Sequence, residues 1–244
     1  MAVAADAARL VVEPLLAAVF PSRCPACAGL VERPLAGPLC DRCWRGLPRH
    51  HGASCRCGVP LPGPRAAACG RCRRGLTPFD AGASLGPYDG ALRSLIHELK
   101  YRGRLRVADR LAEVLLTQPN VLALLTPDAV LVPVPLHPRR RRERGFNQAE
   151  RLARQLAART GHRVVETALV RRRDTPSQAG LSATNRRRNV MGAFVVRRRG
   201  RIAGRPVVLV DDVMTTGATV RACAEALRAA GAIQVRVLTL ARVA

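Results

Sequence analysis

The chain has 244 residues, with 41 Lys or Arg against 17 Asp or Glu and a formal net charge of +24. That length suits one domain of moderate size beside a smaller module, and it excludes a chain too short to bury a core. No stretch holds enough uninterrupted apolar residues for a membrane-spanning helix, and an aromatic content of 3% leaves few platforms for stacking bases.

Residues 10–20 are greasy but contain Glu13 and Pro14, and they have neither a basic leader nor a small-residue cleavage site. They read as an amphipathic helix, not a secretory signal. Eight of the nine cysteines then fall between Cys24 and Cys72. Clustering in short pairs favours metal in a reducing cytoplasm over disulfides. Cys24, Cys27, Cys40 and Cys43 form two C-x2-C knuckles twelve residues apart, the spacing that closes an all-thiolate zinc site across a hairpin. Cys55, Cys57, Cys69 and Cys72 form a second set whose first half is C-x-C. Its connectivity with the first set is open, sequential or interleaved. Four ligands per ion leave no position for water, so the zinc is structural. The module, residues 1–79, holds too little apolar matter for its own core, so metal binding supplies folding energy.

Beyond residue 80 the pattern alternates between strand and helix. Leu92, Leu95, Ile96 and Leu99 make a helix stripe with Asp89 as its cap, and Gly103 breaks it. Lys100 closes that helix and is the only lysine of the chain; with Tyr101, Arg102 and Gly103 it is retained as a ligand contact. A second helix covers 105–116. Residues 129–134 are a short apolar strand. An arginine-rich loop follows, with Arg139 and then Arg144-Gly145-Phe146-Asn147-Gln148, before a helix running to about residue 160. Guanidinium forks suit diphosphate oxygens. Residues 162–170 read as another strand. A long polar excursion to Arg188 and Asn189 follows, placed as a lid over the ligand.

Residues 206–210 are a β-branched apolar strand, ended by Asp211 and Asp212. Then come Thr215, Thr216, Gly217, Ala218 and Thr219, and a helical pattern. Backbone N–H groups of such a turn cradle a phosphate, and glycine lets the backbone come close. The two carboxylates accept from sugar hydroxyls or help hold magnesium. Cys223 lies on the apolar face of the last helix and reads as packing.

The 211–219 stretch resembles the motif of type I phosphoribosyltransferases that binds 5-phosphoribosyl 1-diphosphate (PRPP). The resemblance gives Asp211 and Asp212 the ribose and residues 215–219 the 5-phosphate. It assigns Arg139, Arg144, Gly145 and Asn147 to the pyrophosphate loop, and Arg188 and Asn189 to the flexible loop. With the cysteine module, Val132-Pro-Val-Pro135 and Thr175-Pro-Ser-Gln178, the whole chain resembles the ComF family of bacterial competence proteins. That implies an α/β fold, a parallel sheet with helices on both faces, over residues 80–244 and a double zinc ribbon over 1–79. It also implies PRPP with magnesium as ligand and a part in DNA uptake. Two functions stay open: PRPP-dependent glycosyl transfer, or binding of single-stranded DNA or a competence helicase on a retained fold. Thr215 stands where purine phosphoribosyltransferases carry an aspartate, so the motif offers no base for an acceptor.

Overall fold

Five strands pair side by side into one parallel sheet. In a computed structural model, which describes residues 12–63, 66–174 and 183–243, its strands are β1 (Ala81–Pro87), β2 (Val130–Pro133), β3 (Arg163–Val164), β6 (Pro206–Met214) and β7 (Gln234–Arg242), in the order β1-β7-β6-β2-β3. Residues 10 and 11 of the expected first helix, residues 64 and 65 of the ribbon loop, and the Thr175–Gln178 motif lie outside the described residues. The register pairs Leu131 with Val208 and Leu209 with Val237.

Alternation along the strands feeds two cores. Val208 and Val210 join Leu238 and Leu240 on one face, under Leu152 and Leu156 of α8 (Gln148–Thr160). Val207 and Leu209 join Val235 and Val237 on the other, under Val220, Cys223 and Leu227 of α10 (Ala218–Ala229). Both faces are covered, so β6 is continuously apolar over 206–210, and β7 is buried without a break over 237–241, although its first residues alternate. The helices α4 (Gly90–Tyr101) and α5 (Arg106–Leu116) add Leu92, Leu95, Leu111 and Leu115 to the first core. Asp89 caps α4, its Oδ1 accepting from Gly90 N at 2.8 Å.

Several elements differ from the sequence reading. The strand expected to end at residue 210 runs on to Met214, so Asp211 and Asp212 sit within it, paired against β7. The single strand expected over 162–170 is two. Only Arg163–Val164 joins the main sheet, while β4 (Leu169–Arg171) pairs antiparallel with β5 (Phe194–Val196) in a separate ribbon. The arginine loop contains a helix, α7 (Pro138–Arg144), started by Pro138 and closed by Gly145 at φ 78. Helix α1 (12–19) turns Leu15 and Val19 outward and buries Glu13, whose charge lies near Arg33 and Arg110.

The cysteine module has no core of its own. Cys24, Cys40 and Trp44, the last on α2 (Asp41–Arg45), pack into the first core, whereas Cys55, Cys57 and Phe79 pack into the second. The link between the two cysteine sets runs along the free edge of β1. His50 N donates to Leu85 O at 3.0 Å, and Gly82 N donates to Arg56 O at 2.7 Å. An exposed edge invites pairing with other chains, and this segment occupies it. Close approach explains the glycines of β1, because a Cβ on Gly86 would meet Pro48 O at 2.0 Å. Gly86→Ala should therefore lower unfolding stability by about 1–3 kcal/mol in a denaturant titration, as overpacking does; an unchanged midpoint would mean that the link does not press on β1.

Candidate functional site

Strand order decides where a ligand can sit. The chain leaves β2 through α8 towards β3 and leaves β6 through α10 towards β7, in opposite directions from neighbouring strands. A crevice opens at the carboxyl ends of such a pair. Here it is a cavity of about 310 Å3 between the β2–α7 turn and the β6–α10 turn.

From β6 the cavity receives Asp211 and Asp212, then Thr215, Gly217, Ala218 and Thr219. Gly217 sits at φ 74 and starts α10, a conformation that costs other residues more. From the other side come Arg140 and Arg144 of α7, Gln148, Arg171 of β4, and Tyr88, Lys100 and Tyr101 around α4. Four cations thus face two carboxylates across one cavity.

The carboxylates are held differently. Asp212 is buried; its Oδ2 lies 2.9 Å from Lys100 Nζ and accepts from Gln148 Nε2 at 2.9 Å, while Oδ1 accepts from Val213 N at 2.7 Å. Burial works against the Lys100 ammonium, but Asp212 outweighs it and holds Lys100 above its ordinary value. Asp211 Oδ1 accepts from Asp212 N at 2.8 Å. Burial, and then the neighbouring Asp212, push Asp211 well above the ordinary carboxylate range. Burial, and then Arg140, lower Arg171 from its ordinary value. The cavity is thus built to receive both hydroxyl donors and anions.

The residues expected from the sequence divide. Asp211, Asp212, Thr215, Gly217, Ala218, Thr219 and Arg144 line the cavity; Arg139, Gly145, Asn147, Thr216, Arg188 and Asn189 do not. Arg139 is exposed and pairs with Glu143 at 3.0 Å, so the turn of α7 presents Arg140 instead. Asn147 is a splint, accepting from Ala149 N at 3.0 Å and donating to Val134 O at 3.0 Å, which fixes the start of α8 against the end of β2. That fixes Gln148, and Arg144 donates to Gln148 Oε1 at 3.0 Å. Arg188 is exposed and Asn189 half-buried on α9 (Ala183–Val190). The sequence reading missed Tyr88, Arg140 and Arg171; both arginines lie within arginine runs, 139–142 and 171–173, which carried a signal, whereas Tyr88 had none.

The cysteines gather in the order of the chain, not interleaved. Cys24, Cys27, Cys40 and Cys43 form one group and Cys55, Cys57, Cys69 and Cys72 another, with all four sulfurs of each within 4.8 Å of one another. Cys27 and Cys40 sulfurs are 3.6 Å apart, as are those of Cys57 and Cys69. A tetrahedron with Zn–S of about 2.3 Å needs sulfurs about 3.8 Å apart, so both sets fit zinc, the C-x-C half included. The backbone N–H of Gly29, then Cys43, bring Cys27 down to about 6, and burial first pushes Cys57 up to about 12. Thiols so close cannot all ionise without a cation between them.

Comparison with known proteins agrees with this layout. Residues 142–244 match the phosphoribosyl transferase domain family, and residues 15–73 match the double zinc ribbon domain. Competence protein F of Haemophilus influenzae is 32% identical over 228 residues, covering 91% of this chain and 98% of that protein. The chain belongs to the ComF family. DNA utilization protein YhgH of Salmonella typhimurium is 36% identical over 89% of this chain and 97% of its own length. Competence protein ComFC of Bacillus subtilis is 28% identical over 90% of this chain. Among solved structures, glutamine PRPP amidotransferase from B. subtilis is similar over 54% of this chain and 25% of its own, with 25% identity and a TM-score of 0.37. Among the described residues no helix is long and apolar enough to cross a membrane.

Two outcomes follow from the site. Metal analysis should return two zinc per chain. Chelation should shift the emission of Trp44, the only tryptophan, because it is buried beside the first set with the Arg110 guanidinium 4.0 Å from its ring; zinc removal with unchanged emission would separate Trp44 from the metal. In protein labelled only at lysine, the single Lys100 side-chain signal should titrate above the free value of about 10.4, and Asp212→Asn should bring it down. The pair's stability is complete below the unfolded lysine value and is lost as pH rises through the raised folded one. A wild-type midpoint at or below the free value would break the proposed pairing.

Proposed function

We propose that the cavity binds PRPP with magnesium, Asp211 and Asp212 accepting from the ribose hydroxyls and the N–H groups of residues 215–219 holding the 5-phosphate. One observation carries this: a single cavity joins the acidic pair, the glycine turn and the Arg140 and Arg144 guanidiniums at the crevice between β2 and β6. The arginines lie on the side opposite the phosphate turn, where the diphosphate of such a ligand would reach. Magnesium on the diphosphate supplies charge neutralisation at the leaving group. The protein's own part is to fix the sugar, to offer guanidiniums to developing charge, and to keep Asp212 oriented through Lys100 and Gln148.

By analogy with the names of its relatives, the protein would serve the handling of DNA in competence or DNA utilization, in the cytoplasm where its thiols stay reduced. A second reading, binding of single-stranded DNA, is favoured by the exposed arginines at 197–199 and 201 and by the +24 charge. Such binding should weaken steeply with salt.

Calorimetric titration of the zinc-loaded protein with PRPP and magnesium should show one site. Asp211→Ala with Asp212→Ala should weaken it by about 100-fold or more, the loss expected when hydrogen bonds to charged acceptors are removed. Equal affinity of the double variant and the wild type would reject the site.

A further inference from the structure

The back of the phosphate turn rests on the second cysteine set. Helix α3 (Gly70–Arg73) carries both Arg71 and the ligand Cys72, and Arg71 Nη1 donates to Thr216 O at 3.0 Å. Around this contact, Arg242 Nη1 donates to Cys57 O at 2.8 Å and Arg221 donates to Leu76 O. Arg228 Nη2 pairs with both oxygens of Asp80 at 2.7 Å. Cys57, Arg71, Met214, Thr216, Gly217 and Arg242 enclose a small space between turn and ribbon. Thr216 turns to that side, its Oγ1 buried and away from the main cavity. The first cysteine set makes its contacts elsewhere, with Ser94 Oγ donating to Pro25 O and Arg110 over Trp44.

A trans peptide points its C=O and N–H in opposite directions. Arg71 draws the Thr216 carbonyl towards the ribbon, so the N–H of the same peptide, that of Gly217, is aimed to the other side, where Gly217 lines the main cavity. A peptide beside a glycine flips readily, because glycine accepts φ of either sign. A flip here would replace a donor to an anion with a carbonyl oxygen that repels it.

We infer that Arg71 is a positioning residue that locks the 216–217 peptide with its N–H towards the ligand, and that the metal of the Cys55, Cys57, Cys69 and Cys72 set is thereby linked to occupancy of the phosphate turn. The metal orders α3, α3 holds Arg71, and Arg71 holds the turn. Linkage is reciprocal, so a phosphate ligand on the turn tightens binding of that metal. The inference rests on the reading of the turn as a phosphate site, and its tests separate the two.

The full zinc-loaded chain serves for each test. In equilibrium competition with a chromophoric chelator, PRPP with magnesium should raise the wild type's affinity for one of the two zinc ions several-fold and leave the other unchanged. Arg71→Ala, retaining two zinc, should abolish that gain and weaken PRPP binding by about 10-fold, within the usual range of coupling. Arg71→Lys, which can still donate, should recover part of both. Wild-type protein that binds PRPP yet holds both ions with unchanged affinity overturns the coupling, and this result needs no variant. If the wild type binds no PRPP, the ligand reading falls, and amide exchange decides the peptide lock. Exchange at Gly217 several-fold faster in Arg71→Ala supports the lock, and unchanged exchange overturns it.

Discussion

Asp211 and Asp212 place two carboxyl groups on consecutive residues of a strand in the middle of a sheet, and much of the surrounding structure answers the resulting repulsion. One of the two, Asp212, is satisfied by the ammonium of Lys100, the amide of Gln148 and the backbone N–H of Val213. The other, Asp211, is left with one backbone donor and a carboxyl pushed towards its neutral form. An unpaired buried charge is costly, so a corner built this way holds latent demand for donors and cations. A vicinal diol and a magnesium ion are ligands of that kind.

The cations come from far along the chain, which explains why the fold looks as it does around the crevice. Lys100 lies in the last turn of α4, and the buried carboxylate of Glu98, two residues before it, pairs with Arg102 and Arg104 on either side of Gly103. Arg144, Gly145, Phe146, Asn147 and Gln148 work as a unit. Arg144 faces the cavity, Gly145 ends α7 in the left-handed region, Phe146 packs on the first core, Asn147 joins β2 to α8, and Gln148 reaches Asp212. Only two of those five touch the cavity; the others orient them.

The cysteine module is part of the same construction. Its two halves stand on opposite faces of the sheet, and the link between them closes the β1 edge. The metal sets thus pin a segment too poor in apolar residues to order itself, and the second set reaches the back of the glycine turn after the acidic pair. Among the described residues, none of the zinc ribbon lines the cavity. Arg171, from the β4–β5 ribbon, lines it; the sequence reading had placed that residue at the start of the polar excursion after the 162–170 strand.

The fold decided which four cysteines share an ion. Local sequence determined the eight metal cysteines, the helices α4, α5, α8 and α10, the apolar strands, and the glycine turn after the acidic pair. Each is fixed by spacing or by the demands of a single backbone position, which read directly from neighbouring residues. Tertiary structure alone decided which arginines of α7 face the cavity, since that depends on how the helix rotates against β2. It alone decided that residues 163–171 split between two sheets, since pairing partners are distant in the chain. It also decided that Arg71 and Thr216, 145 residues apart, share a hydrogen bond. Periodicity names a face; only packing against remote elements says what that face meets.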